Sequence, residues 1–237
     1  MYSFESRVRY SECDTQSRLT LPALINYLQD ASTFHSEDIG HGVDYMRKNH
    51  FCWVITSWQI VVHRTPRYLD HIRVSTWCPE VGSITAKRNF TIETTEGERL
   101  VDADSLWAYF DTERGRAVRV PASENVFQTE DEALPLAPLR RKIKPEGTPH
   151  TLAPITVTKH HLDTNRHVNN GQYVQMATDA VRELEDGFES RQLLAQYRTP
   201  ATLGDTIVPV CYREGDNFCV DLTDGDGTRY AICRLIR

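Results

Sequence analysis

The densest set of reactive side chains in the sequence is HHLDTNRHVNN, running from His160 to Asn170. It places three histidines, one aspartate and three asparagines just ahead of a helical pattern. There the first backbone N–H groups of a helix lack intrahelical partners and the positive end of its dipole points outward. Polar groups gathered at such a point can polarise a carbonyl or hold an anion. Asp163 and the asparagines are also good helix caps, but a cap needs one such residue and this segment has several. From the residues alone, capping and active-site readings stand level. A metal site built from His160, His161, Asp163 and His167 is disfavoured: there is no HExxH motif and no Cys/His pairing at zinc spacing.

The elements that must carry this segment occur twice. VRYSECDTQ, from Val8, aligns with VTKHHLDTN, from Val157, and Asp14-Thr15 falls on Asp163-Thr164. Asp30-Ala31 falls on Asp179-Ala180, Arg64-Thr65-Pro66 on Arg198-Thr199-Pro200, Asp70 on Asp205, and Asn89-Phe90 on Asn217-Phe218. The shared order makes chance an inadequate account and implies a duplication, with about 15 extra residues after the helix of the first copy. Each copy predicts a short strand (Ser6–Glu12; Ile155–His160) and then a helix. The first helix carries Leu21, Leu24, Ile25 and Leu28, with Thr20 as cap and Gly40 as stop. The second carries Tyr173, Met176, Ala177, Ala180, Val181 and Leu184, with Asn169 or Asn170 as cap and Gly187 as stop.

Strand-like runs follow each helix. They are Trp53–Val62, His71–Trp77, Ala86–Thr94 and Asp104–Phe110 in the first copy, and Leu193–Arg198, Thr206–Tyr212, Asn217–Leu222 and Arg229–Leu235 in the second. Turn signals at Pro79–Gly82, Glu96-Gly97, Glu214-Gly215 and Asp224–Gly227 separate them. Strands in runs rather than alternating with helices define an α+β fold. The division is 1–120, a proline-rich linker 121–154 laid along the surface, and 155–237. In the first copy the critical segment reads ECDTQSRLTLP, keeping the aspartate but having no histidine, with Gln16 in place of Asn165. That asymmetry points to one working copy and one supporting copy.

The chain has 237 residues, 40% of them hydrophobic and 25% charged, which supports a packed core and argues against disorder. A formal charge of −6 disfavours general nucleic-acid binding. No run approaches the ~18 apolar residues of a membrane span, and the N-terminus has no secretory or transit character. Six cysteines at irregular spacing read as thiols in a reducing compartment. The expectation is a soluble cytoplasmic protein.

LDTNRHVNNGQY resembles the D-x-N-x-H-V-N-N-x-x-Y signature of the acyl-acyl-carrier-protein thioesterases. RYSECDTQSRLTLPALINYLQDAS and WVITSWQIVVHRTPRYLDHIRVSTW are similar to that family's first domain. The resemblance implies two tandem hotdog repeats, each a long helix wrapped by an antiparallel sheet, the first shaping the acyl-chain pocket. It implies an enzyme of fatty acid biosynthesis that hydrolyses a fatty acyl thioester of acyl carrier protein to free fatty acid and thiol, without a cofactor. Carried over by position, Asp163, Asn165 and His167 form the catalytic set. Asn165 and nearby helix N–H groups would bind the thioester carbonyl or the water, His167 would polarise or orient, and Asp163 would act as base or hold the others in place. One departure stands out. The position at which many members carry a water-activating glutamate is Pro200, and the adjacent position, a cysteine in plant members, is Ala201. Neither supplies a base or a nucleophile.

An acyl-coenzyme A thioesterase and a non-catalytic acyl-thioester-binding module are the alternatives. Trp53, Trp58, Trp77 and Trp107 read as core rather than ligand contacts, and Asp221–Gly227 reads as a hairpin turn rather than a calcium loop. The expected partner is the acidic acyl carrier protein, with no nucleic acid and no membrane, the chain being a monomer or homodimer. Arg140, Arg141, Lys142 and Lys144, or alternatively Arg64 and Arg67, are the candidate docking cations.

Overall fold

The computed structural model describes residues 1–138 and 142–237, in two compact units, Met1–Leu139 and Arg140–Arg237. In the first unit β1 (Tyr2–Arg7), β2 (Phe51–Val62), β3 (His71–Val81), β4 (Thr85–Thr94) and β5 (Arg99–Asp111) form an antiparallel array in the order β1-β3-β4-β5-β2. The two-residue β6 (Arg116–Ala117) turns back onto β5. Helix α1 (Leu21–Asp38) lies against β1 and β3, and a short α2 (Val43–Asn49) precedes β2. The second unit has β7 (Pro149–Thr151), β8 (Ile155–Thr156), α3 (Asn170–Leu184), β9 (Gln192–Tyr197), β10 (Thr206–Glu214), β11 (Asn217–Thr223) and β12 (Arg229–Ile236). Its order is β9-β12-β11-β10, with β7 and β8 sharing the other side of β10. In β8, β10, β11, β12 and β9 it repeats β1, β3, β4, β5 and β2 of the first unit, β6 and β7 being peculiar to one unit each, so the duplication read from short matches extends to topology.

Residue chemistry explains each core. Leu24, Ile25, Leu28 and Ala31 recur on one face of α1 and are buried, against a sheet face bearing Trp58, Ile60, Ile72, Val74, Phe90 and Ile92. The rings of Trp58 and Phe90 lie 5.0 Å apart. In the second unit Val174, Ala177 and Val181 line the buried face of α3, which packs over β10, β11 and β12. Thr20 caps α1 by accepting from the Ala23 N–H, and Asn169 caps α3 by accepting from the Gly171 N–H at 2.8 Å. Trp53, Trp77 and Trp107, the second of them buried and the others partly so, donate their ring N–H to Glu124 Oε2, the Glu132 carbonyl and Ser105 Oγ respectively.

Four features differ from the sequence expectation. The first strand ends at Arg7, and Tyr10–Glu12 form a 3₁₀ turn; Lys159–His161 do the same in the second copy. In each, a side chain takes a backbone N–H that a strand would need: Glu12 Oε2 accepts from Arg9 and His161 Nδ1 from Thr158. Strand β3 runs through Pro79, which falls where its register against β4 shifts between Trp77 and Glu80, a bulge that tolerates proline. The insertion after α1 forms α2, anchored by the Val43 N–H donating to Glu37 Oε1. Finally, the 121–154 segment is not wholly superficial. Phe127 is buried with Cys78 and Ala86, Glu124 is buried, and Ile143 is buried with Cys219 and Ile232. No helix among the described residues is long and apolar enough to cross a membrane.

Half-buried groups make stability depend on pH. His35 on α1 accepts a hydrogen bond from Arg88 Nη1 at 3.1 Å, and burial, with Arg88 beside it, pushes the imidazole down to about 4. The unfolded chain takes up that proton near pH 6.5, so between 6.5 and 4 it binds more protons than the folded one. This contribution to stability is therefore lost as pH falls through that window. Asp104, pushed up to about 6 chiefly by burial, acts in the opposite sense. The expected outcome is that His35→Gln, which keeps an acceptor for Arg88, flattens the fall of Tm between pH 6.5 and 4 relative to the parent; parallel Tm profiles would contradict it.

Candidate active site

After the 3₁₀ turn Lys159–His161, the chain closes a tight loop in which Leu162 pairs with Val168. Asp163 organises it. Its N–H donates to the His167 carbonyl at 2.8 Å, its carbonyl accepts from the Arg166 N–H at 3.0 Å, and Arg166 sits at φ 63°. Its carboxylate Oδ1 accepts from the N–H groups of both Asn165 (2.8 Å) and His167 (3.3 Å). Asp163 thereby fixes the backbone of the two other residues of the expected site. Oδ2 accepts no hydrogen bond among the described residues, and the side chains of Asn165 and His167 likewise make none. Asn165 is exposed, while Asp163 and His167 are partly buried.

The loop is pinned from the side by Ala201. The Val168 N–H donates to the Ala201 carbonyl at 2.9 Å, and the Ala201 N–H donates to Tyr173 Oη at 2.8 Å. Tyr197, whose ring is 5.9 Å from that of Tyr173, donates its hydroxyl to the Asn170 carbonyl at 3.2 Å. Burial pushes the Tyr173 phenol up to about 12, so it remains a neutral hydroxyl. In the sequence Tyr173 shows as a residue of the helix core face and as the last position of the LDTNRHVNNGQY signature, and neither reveals its bond to Ala201 or the part of Tyr197; a hydroxyl bonding to a residue 28 positions away leaves no local pattern. Pro200 is exposed and Ala201 fully buried, so neither provides a base or a nucleophile.

The first copy is an internal comparison. Asp14 closes the same loop: its N–H donates to the Arg18 carbonyl, its carbonyl accepts from Ser17 at φ 60°, and Oδ1 accepts from the Gln16 and Arg18 N–H groups. The Leu19 N–H donates to the Pro66 carbonyl just as Val168 does to Ala201. The aspartate is thus shared architecture, and the asymmetry lies in what surrounds it. In the first copy the Arg18 guanidinium donates to Asp14 Oδ2 at 3.2 Å; in the second His167 holds that position and leaves Oδ2 open. Burial pushes Asp14 up, but the Arg18 and Gln16 N–H groups and the Arg18 side chain together bring it below its ordinary value.

No cluster of metal-binding side chains occurs among the described residues, and His161 Nδ1 is engaged by Thr158. Asp224 Oδ1 accepts from the Asp226 and Thr228 N–H groups, closing the β11–β12 hairpin. Of the basic residues weighed for docking, Arg140 and Arg141 lie outside the described residues. Lys142 and Lys144 are exposed on either side of buried Ile143, and Arg64 is committed to Glu98 and Asp70.

Residues 1–126 match the acyl-ACP thioesterase N-terminal domain and residues 147–231 the acyl-ACP thioesterase C-terminal domain. The chain belongs to the acyl-ACP thioesterase family. It is 24% identical over 241 residues to oleoyl-acyl carrier protein thioesterase 2 of Arabidopsis thaliana, covering 92% of this chain but only 64% of that protein's length. Its fold is that of an acyl-ACP thioesterase from Bacteroides thetaiotaomicron (TM-score 0.87, 22% identity, covering 99% of this chain and 96% of the other). It is equally that of the 12:0-ACP thioesterase from Umbellularia californica (TM-score 0.83, 20% identity, 99% and 96%). The tandem hotdog expectation is met.

Because both aspartates hold their loops through the same bonds, Asp14→Ala and Asp163→Ala are each expected to lower stability by about 1–2 kcal/mol in chemical denaturation. Asp163→Asn, which retains an acceptor oxygen, is expected to cost well under half of that. Equal losses for Asn and Ala at position 163 would show that the hydrogen bonds do not hold the loop.

Proposed function

We propose that this protein hydrolyses fatty acyl thioesters of acyl carrier protein, with Asp163, Asn165 and His167 as its catalytic residues. Family membership supports the reaction class. The observation that carries the site assignment is that the loop exists twice, while the neutralising arginine exists only in the first copy. Asp163 keeps one oxygen on the backbone of Asn165 and His167 and the other available for chemistry. In the reaction this implies, water adds to the thioester carbonyl while Asp163 Oδ2, directly or through His167, takes its proton. The oxyanion is met by the Asn165 carboxamide and the positive end of the α3 dipole. The C–S bond then breaks and the proton passes to the departing sulfur, giving carboxylic acid and thiol. With Pro200 in place of the family's glutamate, Asp163 is the carboxylate left for this task.

The first unit would shape the acyl-chain pocket. The six free cysteines, four of them buried, support residence in a reducing compartment such as the cytoplasm. The test is thiol release from a ladder of acyl chains on acyl carrier protein and on coenzyme A. Asp163→Asn and His167→Ala are each expected to reduce kcat by about 10²-fold or more, with circular dichroism unchanged. Full turnover in Asp163→Asn would remove Asp163 from the chemistry, and binding without thiol release by the parent protein would make it a non-catalytic module.

A further inference from the structure

The turn formed by residues 67–70 occurs in both copies with the same hydrogen bonds, yet its surface differs in a way the fold does not require. In the first copy the Leu69 N–H donates to the Val8 carbonyl, the Val8 N–H to the Asp70 carbonyl, and the Arg67 N–H to Asp70 Oδ2. In the second, Gly204, Val157, Asp205 and Thr202 repeat every one of these bonds. The third residue of the turn lies in the left-handed region in both, at φ 74° for Leu69 and 89° for Gly204. Glycine takes that conformation freely, whereas a leucine there is strained. The Leu69 side chain gains no burial in return, being 43% exposed.

Its neighbours are equally unusual. Tyr10 is 82% and Tyr68 41% exposed, and their rings pack edge to face at 5.9 Å, so two phenols and a leucine form an apolar surface cluster. Arg7 and Arg67 flank it, both exposed, and neither side chain has a carboxylate within ion-pair distance among the described residues. The nearby carboxylates are already engaged: Glu5 by Arg73, Asp14 by Arg18, Asp70 by Arg64, and Glu12 by Arg9 and Tyr27. The positions equivalent to Arg7, Arg9, Tyr10, Arg67 and Tyr68 in the second copy are Thr156, Thr158, Lys159, Thr202 and Leu203, with no arginine and no aromatic ring.

We infer that Tyr10, Tyr68, Leu69, Arg7 and Arg67 form a docking surface for an acidic protein partner, and specifically for the carrier protein that delivers the acyl group. This rests on the thioesterase reading above for the identity of the partner. Charge complementarity selects it: unpaired arginines around aromatic and aliphatic contacts suit a partner that brings carboxylates and an apolar ridge, on a protein whose own charge of −6 would otherwise repel one. A second copy of this chain fits poorly, since a two-fold contact centred on the patch would set arginines against arginines.

The test is titration of fluorescently labelled acyl carrier protein with the full chain at low salt, read by anisotropy. Arg7→Glu/Arg67→Glu is expected to weaken Kd about 10-fold or more, with the advantage of the parent shrinking as salt rises. Leu69→Gly is expected to weaken Kd while raising Tm by about 2–4 °C through relief of the left-handed conformation. A purely structural Leu69 would lose Tm instead. Turnover of a carrier-free acyl-pantetheine thioester is expected to be unchanged in both variants, and it reports on the hydrolytic reading separately. An unchanged Kd for the charge-reversed protein overturns the inference, as does failure of the parent chain to bind the carrier. Loss only of binding to anionic phosphatidylglycerol vesicles, or only of self-association in sedimentation, would assign the surface to a membrane or a second copy and also overturn it.

Discussion

A single carboxylate oxygen accepting two backbone N–H groups determines the local shape on which the site depends. An aspartate at the head of a five-residue loop can satisfy donors that the following helix cannot, and it does so while holding the next residues in place. The left-handed residue (Ser17 or Arg166), the closing pair between the loop ends and the anchor to the 66 or 201 carbonyl follow from that closure. Because the solution is purely local, it survived duplication intact. What diverged are the side chains it presents: arginine on the carboxylate in one copy, histidine beside an open oxygen in the other.

Much of this was legible in the sequence. The helix stripes and the core strands follow from side-chain periodicity, which burial enforces directly, and the caps were read as Thr20 and as either Asn169 or Asn170, of which the structure uses Asn169. The segment proposed for catalysis stood out by having more polar residues than a cap requires. Less legible were features in which a side chain replaces a backbone partner. Glu12 and His161 turn predicted strand ends into 3₁₀ turns through a bond to one nearby N–H, and nothing in the hydrophobic pattern reports it. The comparison of the two aspartates was also only half visible. The sequence shows that both copies keep one, but the structure is needed to see that both do the same architectural work. The Tyr173–Ala201 bond joins a helix to a loop across a long sequence separation and was beyond local reasoning altogether.

The first unit buries charged groups among its aromatic residues. Arg88 is buried beside His35 and Thr76 with its guanidinium 5.5 Å from the Phe127 ring, and Glu124 is buried against Trp53 and Tyr45. Phe127 and Glu124 come from the segment after the last long strand of that unit, and Tyr45 from the insertion that only the first copy has. The added segments therefore do more than connect elements. They bring the aromatic and charged residues that make this half different from its twin.

Ala201 has consequences for how such a site can change over time. Its methyl group is wholly enclosed, and both its amide and its carbonyl are committed to Tyr173 and Val168. A thiol introduced there would have to displace packed atoms and loosen the very loop it was meant to serve. A one-residue change to cysteine is therefore closed off by packing, not only by the absence of sulfur.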